Sequence, residues 1–310
     1  LKIFQSIHDF SSAKSTVVTL GTFDGVHIGH KKIIERLLQN ALELDGESLV
    51  LTFFPHPRMV LQDATDIKLL NTIEEKALLL EKLGLENLVI HPFDQAFSRL
   101  TAEEFVKDIL VNAFNIKKII IGYDHRFGRN RTANIDNLIV FGEKYGFEVE
   151  QISSQEINEV AVSSTKIRNA LLQGNVALAN QYLGYNYPLT GTVVQGKQLG
   201  RTINFPTANL HISENFKLIP ENGVYIVSSS INNTTVFGMM NIGFNPTIGG
   251  EKQTIEIHYF DFDQDLYDQQ ITVSILNRIR SEIKFESLED LKHQLENDKI
   301  TALSYINSTF

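Results

Sequence analysis

The feature that most constrains this chain is a change of hydrophobic rhythm part-way along it. In the first half, short β-branched runs alternate with helical patterns: 17–20, 31–44, 49–54, 72–83, 88–91, 102–114, 118–122, 134–145 and 147–152. Strands separated by single helices predict βαβ units and a doubly wound, Rossmann-like α/β sheet. Beyond Pro188 the helical period disappears. Strand-like stretches follow at short spacing, at 189–194, 223–228, 235–242, 254–260 and 270–278, and predict an all-β barrel. Two short helices are expected in 163–184, and Tyr185, Tyr187 and Pro188 mark a break. These patterns divide the chain near residue 186, into 1–185 and 186–310. A closing helix is expected at the end, where Ser287 caps a segment with Glu289 and Asp290 near its positive end and Leu288, Leu291 and Leu295 at helical spacing.

Composition narrows the chemistry. The 310 residues carry a net charge of −9, the reverse of the basic stripe with which proteins neutralise extended nucleic acid. A few cations and helix-terminal N–H groups can still bind a nucleotide. With no cysteine, disulfides, thiolate nucleophiles and Cys-based zinc sites are excluded. A reducing compartment, the cytoplasm, is the expectation. No stretch approaches the ~20 apolar residues that span a bilayer, so no membrane partner is expected. Oligomeric state is left open.

The stretch VVTLGTFDGVHIGHKKIIERLL places a glycine-rich turn directly after a strand and before an amphipathic helix. Gly21, Gly25 and Gly29 let backbone approach a ligand, and the free N–H groups and dipole of the helix favour phosphate. Phe23 and Asp24 sit in the turn. His27 and His30 stand at the helix entrance, where two imidazoles could donate to an α-phosphate as it gains charge. Either histidine alone would be no more than part of a tight turn. A second element, Ser163-Ser164-Thr165-Lys166-Ile167-Arg168, opens a helix with three hydroxyls and two cations, which taken alone is equally a capping sequence. The strings Phe53-Phe54-Pro55-His56-Pro57 and Gly122 to Arg129 each follow a predicted strand, at the end where ligands bind in open α/β sheets.

In the second half, Gly196-Lys197 is followed by Gln198, so the Walker A pattern fails. Gly196, Gly200 and Arg201 instead form a loop suited to covering phosphates. Thr207 and Asn209 follow, two apart on an extended segment and therefore on one side. Their hydroxyl and amide carbonyl are hard oxygen ligands that can complete a magnesium shell. Glu256, on a later strand, is by itself as easily a solvated side chain. His258 shares its face by period two, and the acidic run 261–265 reads as a solvated turn.

Taken together, His-x-Gly-His and Ser-Ser-Thr-Lys-Ile-Arg resemble the HxGH and SSTxIR motifs of the nucleotidyltransferase superfamily. The strings FFPHP and GYDHRFGR resemble the adenylyltransferase domain of prokaryotic bifunctional riboflavin kinase/FMN adenylyltransferases, with His125 where that family has Phe. FPTAN, GVYIV, NIGFNPTIG, TIEIHYFDFDQDLY and RIRSEIKF resemble, in order and spacing, the riboflavin kinase domain of the same family. The resemblance implies two ATP-dependent transferases, one phosphorylating riboflavin to FMN and one adenylylating FMN to FAD with release of pyrophosphate. It implies nucleotide contacts at the residues of both glycine loops and the SSTKIR helix, with Lys166 and Arg168 neutralising pyrophosphate. Flavin contacts are implied at Pro55, His56, Pro57, Asp124, Phe127, Asn241, Gly243 and Arg280. Mg2+ is implied at Thr207 and Asn209, and Glu256 is implied as general base on the ribityl hydroxyl. Two other readings stand beside it: a nucleotidyltransferase for another phosphorylated acceptor with the barrel as a flavin-binding module, and a flavin carrier without turnover.

Overall fold

The computed structural model describes residues 1–61, 67–122, 126–153, 162–196, 199–247 and 250–310. Chain contacts divide it into two compact units, Leu1–Ser164 and Thr165–Phe310.

The first unit is built on six parallel strands: β1 Lys2–Phe4, β2 Thr16–Leu20, β3 Glu47–Phe53, β4 Asn87–His91, β5 Ile116–Gly122 and β6 Glu148–Ile152. Their order is β1-β4-β3-β2-β5-β6. All five residues of β2 are buried, as a strand covered on both faces requires. Neighbouring residues serve opposite layers. Val18, Leu49, Leu51, Val89, Ile119 and Ile121 join one apolar cluster, whereas Val17, Val50, Leu88, Ile90 and Ile120 join the other. Each fully buried aliphatic side chain contributes about 1.5–3 kcal/mol, so the sheet is the main source of this unit's stability. Helix α1 Ile28–Glu43 buries Ile34, Leu37 and Ala41, and α2 Ile73–Lys82 opens on a capping box between Thr72 and Glu75. The expected helix at 102–114 begins as a short α-turn and continues as a π-helix over Phe105–Ala113. Helix α3 Ile135–Tyr145 starts from the expected Asn134, which is its cap, and ends on Gly146 at φ 84°. From β2 the chain moves to β3 and β4 on one side and returns to β5 on the other. Beside β2 lies the switch point at which open α/β sheets form a ligand crevice.

The second unit begins with α4 Ser164–Leu172, which opens on the last residue of the first unit, and α5 Val176–Leu183. It continues into a closed barrel of β7 Tyr187–Val194, β8 Ala208–His211, β9 Gly223–Ile231, β10 Thr234–Thr247, β11 Gly250–Tyr259 and β12 Gln270–Arg280, ordered β10-β11-β8-β7-β12-β9. Helix α5 is clipped to the barrel: Asn180 donates to the Ile275 carbonyl at 2.9 Å and accepts from the Tyr187 N–H at 2.8 Å. Tyr187 and Pro188, read from sequence as a break, are the first two residues of β7. The closing helix is α6 Leu288–Thr309, capped by Ser287 as expected. Its Ala302 and Ile306 pack with Val224, Ile226 and Met239 on the barrel's outer wall. The first guanidinium of that wall is tied to it: Arg280 grips the 1%-exposed Asp298 of α6, with Nε 2.9 and 3.0 Å from its two oxygens and Nη2 at 2.7 Å.

Candidate functional sites

The turn between β2 and α1 is tightly wound. Gly25 lies at φ 88°, and two side-chain-bearing residues, Phe23 (φ 44°) and Val26 (φ 33°), also adopt positive φ. Such conformations cost on the order of 1–3 kcal/mol and persist only where surrounding structure enforces them. Here the enforcement is visible. Buried Asp24 accepts from the backbone N–H groups of Leu70 and Asn71 at 2.9 and 3.4 Å. Its carbonyl accepts from the Ser164 hydroxyl at 2.9 Å.

His27 is the N-cap of α1. Its Nδ1 accepts from the His30 N–H at 3.3 Å, so the neutral ring carries its proton on Nε2. The His27 and His30 rings stack with centroids 3.6 Å apart, and Phe23 meets His30 edge-on at 5.1 Å. Burial pushes His27 down to about 4, against the pull of Asp24. Burial, and then the neighbouring His27 and Lys76, push His30 well below the usual imidazole range. Both rings are therefore neutral at pH 7. His30 Nδ1 is buried with no hydrogen-bond partner among the described residues, a polar atom left available for a ligand. Neutral N–H donors at a helix N-terminus suit an incoming phosphate, whose charge would itself favour protonation.

Of the expected flavin contacts in this unit, Pro55 is exposed while His56 and Pro57 are half-buried. The His56 ring accepts from the Arg58 N–H at 3.1 Å. Phe127 is 6% exposed and packs into the core against Phe105, its backbone paired with Ala133. It shapes the loop from beneath. Asp124 lies outside the described residues. Ser163 is exposed and Ser164 is tied to Asp24, while Thr165, Lys166 and Arg168 belong to the second unit, on the first two turns of α4.

In the barrel, strand register collects residues that sequence could only place on separate strands. Asn209 of β8 pairs with Glu256 of β11, Glu256 with Asn241 of β10, Asn241 with Val224 of β9, and Val224 with Arg280 of β12. Directly opposed residues share a sheet face, and Val224 fixes that face as the outer wall beneath α6. Asn209, Glu256 and Asn241 are half-buried. The Thr207 hydroxyl donates to Glu256 Oε2 at 3.3 Å. The Asn209 side chain lies against Gly196 so closely that a Cβ there would sit 2.1 Å from its Nδ2. At Gly200 a Cβ would come within 2.1 Å of the Phe205 carbonyl. Gly243 is likewise closed, by the Glu282 carboxylate at 2.4 Å. The Arg280 guanidinium is engaged by Asp298, so its contact in this structure is to α6.

His258 explains how the Phe205–Pro206–Thr207 segment is held. Its Nδ1 lies 2.8 Å from the Pro206 carbonyl and its ring meets Phe205 edge-on at 5.0 Å. Burial lowers its pKa, leaving a neutral ring that donates through Nδ1. Beside Thr207 opens a cleft of about 720 Å³ lined by Arg201, Thr207, Tyr259, Phe262, Asp265 and Tyr267 among others, within the size range of small-ligand sites. Arg201 donates to the Tyr267 hydroxyl at 3.4 Å across it. The 261–265 turn, read from sequence as merely solvated, forms one wall of this cleft. The aromatic residues that alternate with its acids were the available signal. Among the described residues no group of three or more His, Asp or Glu is arranged to hold a metal ion, and no helix is long and apolar enough to cross a membrane.

Comparison with known proteins accounts for both units. Residues 9–166 match the FAD synthetase family and residues 183–306 the riboflavin kinase family. The chain is 36% identical over 310 residues to the bifunctional riboflavin kinase/FMN adenylyltransferase of Haemophilus influenzae, covering 99% of this chain and 100% of that protein. It is 35% identical to the protein of the same description from Escherichia coli K12, covering 100% of this chain and 99% of its relative. A crystal structure described as a macrolide-efflux protein from Streptococcus pneumoniae superposes with a TM-score of 0.88 at 33% identity, covering 97% of this chain and 98% of that one.

Proposed function

Because this chain belongs to the bifunctional riboflavin kinase/FMN adenylyltransferase family, we propose that it phosphorylates riboflavin with ATP to give FMN and then adenylylates FMN with a second ATP to give FAD. Sequence assigns adenylyl transfer to 1–185 and phosphoryl transfer to 186–310. The observation that carries the kinase assignment is the register that aligns Asn209, Glu256 and Asn241 on one wall, with the Thr207 hydroxyl on Glu256. For adenylyl transfer it is the stacked, neutral His27–His30 pair on the strained turn at the sheet's switch point. A barrel that only binds flavin is the weaker reading, since 183–306 match the kinase family itself.

In the kinase half, the Glu256 carboxylate accepts the proton of the ribityl 5′-hydroxyl as that oxygen attacks the γ-phosphorus of ATP, and ADP leaves. Phosphoryl transfer asks chiefly for positioning and charge neutralisation. The sequence suggests a loop here, but Gly200 and Arg201 stand on a helical turn, Leu199–Thr202; that turn, with Gly196 ahead of it, covers the phosphates, Arg201 lying at the cleft's edge. The donor chemistry beside Glu256 fits Mg2+: Thr207 and Asn209 offer uncharged hard oxygens, and the remaining ligands of such an ion are phosphate and water. When bound, the ion neutralises phosphate charge. In the adenylyltransferase half, the FMN phosphate attacks the α-phosphorus and pyrophosphate departs. His27, through Nε2–H, and His30 donate to the α-phosphate oxygens as negative charge builds. Gly21, Gly25 and Gly29 admit the nucleotide's phosphates close to the backbone.

The test is direct. Purified protein supplied with riboflavin, ATP and Mg2+ should yield FMN and then FAD, resolved by chromatography. Failure to form either product overturns the corresponding half of the proposal.

A further inference from the structure

Between β2 and His27, the carbonyl oxygen of Thr22 accepts two hydrogen bonds, from Lys76 Nζ at 2.7 Å and from Thr52 Oγ1 at 3.3 Å. Lys76 stands on α2, outside every motif discussed above, and is 5% exposed. An ammonium group is costly to bury; burial draws its pKa down to about 8, with Asp24 pulling the other way. A methionine would fill similar space without that cost, so the amine has to be explained by what it holds. Its helix is docked on the same turn by a second tie, because Asp24 accepts the N–H groups of Leu70 and Asn71 just ahead of the Thr72 cap. The turn is therefore gripped at Thr22 and Asp24, on either side of left-handed Phe23, and left-handed Val26 follows. Strain of this kind survives only under such external constraint.

We propose that Lys76 is a positioning residue for adenylyl transfer: its bond to the Thr22 carbonyl holds the strained turn that sets His27 and His30 against each other. The proposal rests on the reading of this turn as the adenylyl-transfer site. Groups that act on developing charge must be held to within a fraction of an ångström, and a displacement of about 1 Å can cost on the order of 100-fold in rate.

The experiment is steady-state kinetics of both reactions on the full chain with Lys76→Met. The expected result is a kcat for FMN-to-FAD conversion lowered by roughly 10- to 100-fold, unaltered KM for FMN and ATP, and unaltered riboflavin phosphorylation, which serves as an internal control in the same chain. An unchanged kcat, or a change in KM alone, overturns the proposal. Should Lys76→Met lack a cooperative unfolding transition for the first unit, Thr52→Val decides: it removes the weaker bond to the same carbonyl and should lower kcat at constant KM. A wild-type kcat in that variant would sink the idea. His27→Ala is measured in parallel. If it still forms FAD, the underlying site assignment is wrong; if it is inactive while Lys76→Met behaves as wild type, only the role of Lys76 is lost.

Discussion

In the proposed reaction His27 has two tasks for the two nitrogens of one ring: Nδ1 caps α1, and Nε2–H is the donor to the α-phosphate. Replacement by Ala removes both, and losing a helix cap typically costs about 1 kcal/mol. Asn is among the best cap residues, so His27→Asn should separate the tasks. We expect stability at pH 7 to stay near wild type while FAD formation falls by roughly 100- to 1,000-fold, read by denaturant midpoint and product assay. The same variant tests a pH effect. His27 titrates near 6.5 when unfolded and about 4 when folded. Between those values the unfolded chain takes up a proton that the folded chain refuses, so this contribution is complete above pH 6.5 and is lost as pH falls toward 4. The unfolding midpoint of the first unit should drop from pH 7 to pH 5, and less steeply in His27→Asn. On the barrel, Glu256→Gln keeps an acceptor for Thr207 but not a base. FMN formation should fall by at least about 100-fold, with added FMN still converted to FAD. Loss of both activities in a folded variant would refute separate sites.

At the scale of elements, α6 is held both by its apolar face and by an ion pair, Arg280–Asp298. Removing one partner of a buried pair strands the other charge. Asp298→Ala should therefore destabilise the barrel unit by about 3 kcal/mol, at the low end of the range because Arg280 keeps some solvent access, 16% for its side chain. Equilibrium denaturation would measure it. The helices and long strands were legible because each displays its period over five or more residues. β1, with three residues, and β8, with four, are too short to show one. The β10–β11 hairpin outruns its expected ends, reaching Thr247 and starting at Gly250, since Gly and Pro read as turn signals although the paired ladder continues through them. The motif residues were legible as chemistry but not as an assembly. Nothing in one dimension states that Asn209, Glu256 and Asn241 share a register. Lys76 was overlooked despite a trace: it occupies the apolar stripe of α2 with Ile73, Ala77 and Leu80, where a surface lysine has no reason to be.

For the molecule as a whole, the change of rhythm near residue 186 and the division of contacts after Ser164 do not coincide. The two helices between them go with the barrel, burying Ile167, Leu171, Val176, Ala179 and Leu183. A fragment spanning 165–310 should fold cooperatively and phosphorylate riboflavin, whereas 186–310, with the barrel face that α5 covers laid bare, should be less stable by at least about 3 kcal/mol. Thermal unfolding of the two fragments tests this, and equal stability would show that the helices are not part of the kinase core. The closed ring of β7 to β12 has a further consequence, for how the protein fails. A ring has no outermost strand, so the second unit offers no rim on which another chain can add a strand. Among the described residues such rims are found in the first unit, at β1 and β6. One is three residues long, and the other carries Glu148 and Glu150, both bridged by Lys118. Among the described strands, self-association through strand addition thus meets two short or charged borders, and removing the charges of β6 is the change that would most invite insoluble aggregates.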